Sequence, residues 1–278
     1  MRSRRLGRAA RLAVAVGAAL AFACSCTSGS TQATSSGTTS SGTVFGPSQP
    51  LGNGTVKTYV TRDDAGQPTE VGLRLTAAAM DGLPQDTGPA QMVMLAFPDQ
   101  AARTAFNHVM LNWNPQGHEP VELFGKPHFD FHFDMVDMAT MQAINPDDPK
   151  FAAEAEHLPE PKYVPQDYVV PPGLPPATQA VPGMGVHLVD SSDSTLVPGK
   201  YDFQKIIISG AWDGRYTFIE PMITREWLLT QPNSQESLKQ PQAYQKTAYY
   251  PTGYAVHVDQ QTKDYVIALT GLTMREAA

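Results

Sequence analysis

One stretch, G-K-P-H-F-D-F-H-F-D-M at Gly125 to Met135, constrains the fold more than any other part of the sequence. Histidines and aspartates alternate there with phenylalanines, and this period of two predicts a β-strand. His128, Asp130, His132 and Asp134 would share one face, and the three aromatic rings would share the other. Burying each ring contributes roughly 2 kcal/mol. We therefore expect the aromatic face to pack into a core and to hold the polar face in place as the wall of a metal or catalytic site.

Further candidate ligands lie in turns or in apolar strands elsewhere in the chain. Imidazoles completed by carboxylates are the usual ligands of zinc and of other divalent metals. Glu220 lies in the apolar run F-I-E-P-M, where a carboxylate without a partner would be costly. The first hypothesis is therefore a divalent-metal site, with zinc as the expected ion. Its expected ligands are His128, His132, His187 and Glu220. His118 is expected nearby, and Asp130 is expected to hydrogen-bond a ligand without binding the metal.

The strand geometry limits how these residues can act together. Residues four apart in a strand are separated by about 13 Å, whereas an imidazole nitrogen lies about 2 Å from zinc. His128 and His132 should therefore not share one metal across a straight strand. Either a bulge bends the strand, or one histidine binds the metal while Asp130 orients the other through its ring nitrogen. A helix would place both histidines on one face, but the alternating phenylalanines argue against it.

The second hypothesis is a non-catalytic protein, either ligand-binding or structural, whose histidines form a hydrogen-bonded cluster. In that case Asp134 and Asp137 are solvated charges at a strand end. The sequence assigns no role to three other histidines, which have the pattern of surface or helix-face residues: His108, His157 and His257. Three methionines are expected to fill the core and not to bind copper: Met135, Met184 and Met222.

Strand and turn signals predict a mainly antiparallel β-sandwich or β-barrel with a few peripheral helices. The expected hairpins join residues 55–61 to 70–75, 203–211 to 215–223 around Asp213-Gly214, and 254–259 to 265–272. Residues 99–111 have helical spacing, with Asp99 as the cap and Phe106, Val109 and Met110 as the buried stripe.

A proline-rich stretch at 145–182 has little periodicity, and such long loops are usually functional or covering. We expect it to wrap around the domain, held by Tyr163 and Tyr168. A sharper version of this expectation makes the stretch a lid over the site.

The first residues have the features of an export signal. Five arginines precede an apolar run at 12–22, which ends in Ala-Phe-Ala directly before Cys24. This arrangement resembles a bacterial lipobox, so residues 1–23 are expected to be a signal peptide and Cys24 the lipidated residue. Cys26 is a second candidate, and simple removal of the leader with secretion is the alternative.

The composition of the chain predicts where the globular domain begins. Residues 24–50 are rich in Ser, Thr and Gly and predict a flexible tether, followed by a single β-rich domain at 51–278. The two cysteines of the chain lie before this domain, so a disulfide or a catalytic thiol within the domain is excluded. The expected location is the outer face of a membrane, reached through the lipid anchor.

The charge balance bears on the partners. The chain has 20 basic and 27 acidic residues, and removal of the five leader arginines leaves 15 against 27, a net charge of −12. Nucleic acid is a poor partner for such a protein. The membrane is the expected partner, and the sequence does not identify a small-molecule or protein ligand.

Four segments carry a resemblance that covers about residues 55–229. They are P-H-F-D-F-H-F at 127–133, N-W-N-P-Q-G-H-E-P at 112–120, V-P-G-M-G-V-H-L-V-D at 181–190 and F-I-E-P-M-I-T at 218–224. Together they resemble a family of exported bacterial proteins and lipoproteins with a domain of unknown function. The resemblance implies that His118, His128, His132, His187 and Glu220 belong to one site, and it implies no metal or reaction. Asp134 departs from the pattern, which has an aromatic residue there.

Overall fold

Sixteen strands dominate the computed structural model, which describes residues 41–86 and 91–278. In chain order they are β1 (Gly42–Phe45), β2 (Gln49–Leu51), β3 (Gly54–Arg62), β4 (Pro68–Leu75), β5 (Gln91–Ala96), β6 (His108–Asn114), β7 (His128–Asp134), β8 (Tyr168–Val169), β9 (Val186–Asp190), β10 (Lys205–Trp212), β11 (Arg215–Thr224), β12 (Asn233–Ser237), β13 (Ala248–Tyr250), β14 (Gly253–Val258), β15 (Tyr265–Thr270) and β16 (Thr273–Arg275).

The helices of the described residues are short and lie between strands. The α-helices are α1 (Val121–Phe124), α2 (Met138–Gln142), α3 (Phe151–Glu156), α4 (Pro176–Gln179) and α5 (Arg225–Leu229), and 3-10 turns cover Ala77–Met80, Asp99–Ala101 and Pro161–Tyr163. None of the helices in this part of the chain has the length and hydropathy needed to cross a bilayer.

The strands form two seven-stranded antiparallel sheets. The first sheet has the order β1-β3-β4-β15-β14-β12, with β2 also paired to β3, and the second has the order β5-β6-β7-β11-β10-β9-β8. A small third sheet pairs β13 with β16. The predicted mainly antiparallel β fold with a few short helices is confirmed, and its architecture is a sandwich.

The core lies between the two sheets. Phe129, Phe131 and Phe133 of β7 are fully buried and belong to the same apolar cluster as Val71 and Ile267 of the first sheet. The aromatic face of the organising strand therefore packs as predicted. All seven residues of β7 are buried, so the polar face of this strand is also covered by protein.

The predicted hairpins are confirmed. Asp213 and Gly214 join β10 to β11 with φ angles of 43° and 72°, and positive φ at both positions defines the primed turn that matches strand twist. Strand β3 pairs with β4, and β14 pairs with β15.

The predicted helix at 99–111 is wrong. Only Asp99–Ala101 forms a 3-10 turn, Asp99 makes no side-chain cap, and His108 begins β6. Strand β6 pairs with β5 on one side and with β7 on the other. An apolar run that is buried on both faces satisfies the helical and the extended pattern equally, and pairing with distant segments decides between them.

The domain begins earlier than the predicted residue 51. Strand β1 pairs with β3 from Gly42↔Arg62 to Phe45↔Tyr59, and β2 begins at Gln49. An edge strand is held by backbone hydrogen bonds, so it needs few apolar side chains and resembles a tether in composition. The expected signal peptide 1–23, Cys24, Cys26 and the tether up to residue 40 lie outside the described residues.

The proline-rich stretch at 145–182 follows the surface through α3, β8 and α4. Its two expected anchors are confirmed. The Tyr163 hydroxyl donates to the Ala278 carbonyl at 2.6 Å, and the Tyr168 hydroxyl donates to the Ile207 carbonyl at 3.2 Å.

Candidate metal centres

The polar face of β7 lies beside a polar face of β6. Their register is continuous from His108↔Asp134 to Asn114↔His128, which leaves no bulge in this pairing. His128 and His132 therefore stay on a regular strand, four residues apart, and the structure places them in two different groups of ligands.

The first group, the Asp130 cluster, consists of His118, His128 and Asp130. One ligand atom of each residue lies within 4.8 Å of the others. The Nε2 atom of His128 is 3.0 Å from Asp130 Oδ1, and the Nε2 atom of His118 is 3.6 Å from Asp130 Oδ2. Asp130, expected only to orient a histidine, thus faces the same point as the two imidazoles.

Backbone carbonyls fix the tautomers in the Asp130 cluster. The Nδ1 atom of His128 donates to the Lys126 carbonyl at 2.6 Å, and that of His118 donates to the Glu119 carbonyl at 2.8 Å. Because a carbonyl only accepts, the hydrogen of each neutral ring is on Nδ1 and the lone pair is on Nε2. Two lone pairs then face a carboxylate, and this arrangement is favourable only with a cation, either a proton or a metal ion, between them.

The electrostatics of the Asp130 cluster agree with this requirement. Burial opposes ionisation, yet the close approach of the His118 and His128 imidazoles holds the pKa of Asp130 well below its usual range. Burial likewise opposes the charge on His118, but the neighbouring Asp130 carboxylate raises the pKa of that imidazole. Asn114 Nδ2 donates to Asp130 Oδ2 at 2.6 Å and fixes the carboxylate.

The second group, the Glu220 cluster, joins three strands of the second sheet. His132 of β7, His187 of β9 and Glu220 of β11 each offer one ligand atom within 4.8 Å of the others. Glu220 Oε1 is 3.3 Å from His132 Nε2, and Glu220 Oε2 is 3.7 Å from His187 Nε2. The Phe218 ring packs edge-on against both imidazoles.

The polar atoms of the Glu220 cluster are poorly satisfied within the described part of the chain. Both ring nitrogens of His132, Nδ1 of His187 and Oε2 of Glu220 are buried without a hydrogen-bond partner there. Burial lowers the pKa of His132 to about 3 and that of His187 to about 4, and it raises the pKa of Glu220. At neutral pH the imidazoles are neutral and have lone pairs available for a metal.

A third buried pair, His108 and Asp134, lies further along the polar faces of β6 and β7. His108 Nε2 lies 3.2 Å from Asp134 Oδ2, and both residues are almost fully buried. Burial lowers the pKa of His108 to about 4 and raises that of Asp134. The expectations that His108 is a surface or helix-face residue and that Asp134 is a solvated charge are therefore wrong.

The pairing of His108 with Asp134 was not predicted, because residues 99–111 were expected to form a helix. The signal was present in the alternation His108-x-Met110-x-Asn112-x-Asn114, which mirrors the polar face of β7. Asn112 and Asn114 also belong to this wall, because β6 extends to Asn114.

The five residues expected to form one site are thus divided between two clusters. His118 and His128 lie in the Asp130 cluster, and the other three lie in the Glu220 cluster. Two histidines without an assigned role and one methionine expected in the core lie elsewhere. Exposed His157 pairs with Asp213 at 2.9 Å, half-buried His257 lies in β14, and Met222 packs in an apolar cluster with Phe124 and Phe203.

Comparison with known proteins gives one partial match. A family model described as "TTHB210-like: Hypothetical protein TTHB210" matches residues 63–113, which include His108 and Asn112 but none of the six cluster residues. No curated protein and no solved structure matches the chain. The description of that family names no activity.

Proposed function

We propose that this protein binds divalent metal ions, with zinc as the ion, at both the Asp130 cluster and the Glu220 cluster. The observation that carries the proposal is the convergence of two imidazoles and one carboxylate at each of two neighbouring positions. One strand, β7, supplies ligands to both.

The spacing of the ligand atoms supports this proposal. Ligands about 2.0–2.2 Å from a tetrahedral zinc ion lie about 3.4 Å from one another. The four distances between imidazole and carboxylate atoms in the two clusters are 3.0, 3.6, 3.3 and 3.7 Å. An ion would therefore fit each cluster with only small side-chain shifts.

The hydrogen bonding counts against the alternative of a merely hydrogen-bonded histidine cluster. Buried polar groups in folded proteins are almost always paired, and an unpaired one costs about 1–3 kcal/mol. His132 has no partner on either ring nitrogen within the described residues. Metal ligation would satisfy one of these nitrogens together with the Glu220 carboxylate.

The accessibility of the clusters favours catalysis over a structural role. Each cluster has three protein ligands, and one of them is partly exposed: the side chain of His118 is 39% exposed and that of His187 is 24% exposed. Structural zinc sites usually have four protein ligands, whereas catalytic sites keep one position for water or substrate. A metal bound there would supply the acidity that activates water or polarises a carbonyl, so hydrolysis is the proposed reaction class.

The proposed location is outside the cytoplasm. It is supported by the arginine-rich leader and the lipobox-like sequence before Cys24. On this proposal the protein is anchored in a membrane by a lipid on Cys24, or secreted if the leader is only removed, and its acidic charge makes nucleic acid an unsuitable partner.

Metal content measured by elemental mass spectrometry tests the proposal. The metal-free protein is reconstituted with zinc, and we expect two equivalents per chain. His118→Ala and His187→Ala should each retain one equivalent, and the double variant should retain none. His157→Ala is the matched control, because His157 is exposed and belongs to neither cluster. Absence of bound metal in the reconstituted wild-type protein would refute the proposal.

A further inference from the structure

A cavity of about 560 Å³ lies on the face of the second sheet opposite the two metal clusters. Ser209 and Ile219 line it, whereas Glu220, the next residue of β11, belongs to the Glu220 cluster. Successive side chains of a strand point to opposite faces, so the sheet itself separates the cavity from the clusters. We propose that this cavity is a binding site for a small planar aromatic carboxylate.

The size and walls of the cavity suit a flat molecule. Small-molecule sites commonly measure about 300–1,000 Å³ and have mostly apolar and aromatic walls. Five tyrosines line this cavity: Tyr163, Tyr168, Tyr216, Tyr244 and Tyr250. Aromatic rings pack on one another in stacked or edge-on geometries, which favours an aromatic ligand.

The tyrosine rings are held in position by their hydroxyl groups. Tyr168 donates to the Ile207 carbonyl at 3.2 Å, Tyr250 to the Lys246 carbonyl at 3.0 Å, and Tyr244 to Gln240 Oε1 at 2.9 Å. These hydrogens are therefore already used. The walls are formed before a ligand binds, which lowers the entropy cost of binding.

The floor of the cavity offers a hydrogen-bond donor. Ser209 Oγ and the Tyr216 hydroxyl lie 2.9 Å apart, and either can donate to the other. Two hydroxyl groups carry two hydrogens and one bond uses only one, while no other acceptor for this pair occurs in the described part of the chain. Burial raises the pKa of Tyr216, so its phenol stays protonated. The pair can therefore donate to an oxygen of the ligand.

The charge around the cavity selects an anion. Arg215 and Lys246 line it, both are exposed, and neither forms an ion pair within the described residues. The third cation, Lys239, is already paired with Asp167 and Asp190. The acidic residue of the lining, Asp137, accepts a hydrogen bond from the Thr140 amide at 2.7 Å and also interacts electrostatically with Arg215. The lining therefore has two cations without an ion pair, Arg215 and Lys246, against this one carboxylate, in a chain of net charge −7.

The proline-rich stretch at 145–182 now has a defined position. Tyr163, Pro165 and Tyr168 of that stretch form part of the wall of this cavity, and none of them belongs to either metal cluster. Other residues of the stretch, such as Phe151 and Val164, pack in an apolar cluster with Phe218, beside the Glu220 cluster. The second wall comes from residues 238–251.

Calorimetry and saturation-transfer NMR on the full chain test the proposal with 4-hydroxybenzoate and indole-3-acetate as probes. We expect saturable binding of one molecule per chain. The uncharged 4-hydroxybenzamide should bind at least about tenfold more weakly, since hydrogen bonds and ion pairs to a charged group are the stronger ones. Binding should persist after chelation of metal, so this result is independent of the proposed metal function.

Two variants and one control locate the site. Arg215→Gln combined with Lys246→Gln should weaken 4-hydroxybenzoate binding about tenfold or more, and Ser209→Ala combined with Tyr216→Phe should do the same by removing both floor hydroxyls. Lys150→Gln combined with Lys200→Gln removes two exposed charges outside the cavity and should leave binding unchanged. Thermal unfolding checks that each variant is folded. Absence of saturable binding by both carboxylates, or equal binding by the folded charge variant, would overturn the proposal.

Discussion

The Nε2 atom of His128 faces Oδ1 of Asp130 at 3.0 Å, while Nδ1 of the same ring is held by the Lys126 carbonyl at 2.6 Å. These two contacts set the tautomer and aim a lone pair at a carboxylate. The same arrangement recurs at His118, whose Nδ1 is held by the Glu119 carbonyl. Histidine metal ligands characteristically donate their second nitrogen to a carbonyl or carboxylate in this way.

Replacing Asp130 by asparagine removes the carboxylate of the Asp130 cluster with little change in volume. We expect zinc affinity at that cluster to fall at least about 100-fold, more than the loss of an outer hydrogen-bond partner causes. The Glu220 cluster should keep its ion. Competition with a chromophoric chelator measures both affinities.

Two comparisons control the Asp130→Asn experiment. Asp137→Asn removes an exposed carboxylate at the start of α2 and should leave both zinc affinities unchanged. Asn114→Ala removes only the hydrogen bond to Asp130 and should have the smaller effect, roughly 10-fold. Wild-type affinity at both sites in Asp130→Asn would show that Asp130 is not a ligand.

Acid should destabilise the metal-free protein partly through His187. Its folded pKa is lowered to about 4 by burial, against about 6.5 in an unfolded chain. The unfolded state therefore binds more protons between these values, so this contribution to stability is present above pH 6.5 and is lost as the pH falls. Between pH 7 and pH 5 we expect a loss of about 2 kcal/mol from this one group.

The comparison of wild type with His187→Gln measures that contribution together with the part of the lowered His132 pKa that His187 causes. Glu220 acts in the opposite direction because burial raises its pKa, but it is present in both proteins, and its shift arises from burial, Asp130 and Asp134. Urea unfolding at pH 7 and pH 5 should show the larger loss of stability in the wild type. An equal loss in both proteins would mean that His187 is not held neutral by burial.

The phenylalanine face should fix the polar face of β7. Phe131 is fully buried between Asp130 and His132, so Phe131→Ala should destabilise the protein by about 3–5 kcal/mol, as measured by urea unfolding. Where the variant remains folded, the zinc affinities of both clusters should fall. Each cluster has a ligand next to Phe131 in sequence, Asp130 in one and His132 in the other. Phe45→Ala, at a ring that is 42% exposed, should change stability by less than about 1 kcal/mol. Equal losses of stability in the two variants would contradict the role assigned to the phenylalanine face of β7.

Local sequence predicted β7 well, because alternation of phenylalanine with polar residues has only one simple structural explanation. The distance between His128 and His132 in a strand also excluded a single metal held by both in a straight strand. The division into two clusters depended on which strands pair with β7. His187 lies near His132 because β9, β10, β11 and β7 are neighbours in this order in the second sheet. No local sequence pattern predicts this order.

Other features required contacts that are distant in sequence. Residues 99–111 have helical spacing, and only the pairing of β6 with β5 and β7 makes their second half a strand and buries His108 beside Asp134. Strand β1 has only four residues and is held at the edge of a sheet by β3. The tyrosine-lined cavity is formed by five segments that are separated in sequence, so no single stretch predicts it.

Anomalous diffraction at the zinc edge, from crystals of the zinc-reconstituted protein, would locate the two proposed ions. We expect two peaks in each chain, one within about 2.2 Å of ligand atoms of His118, His128 and Asp130, and one equally close to His132, His187 and Glu220. Crystals that contain zinc elsewhere on the surface but show no peak at either cluster would contradict this expectation.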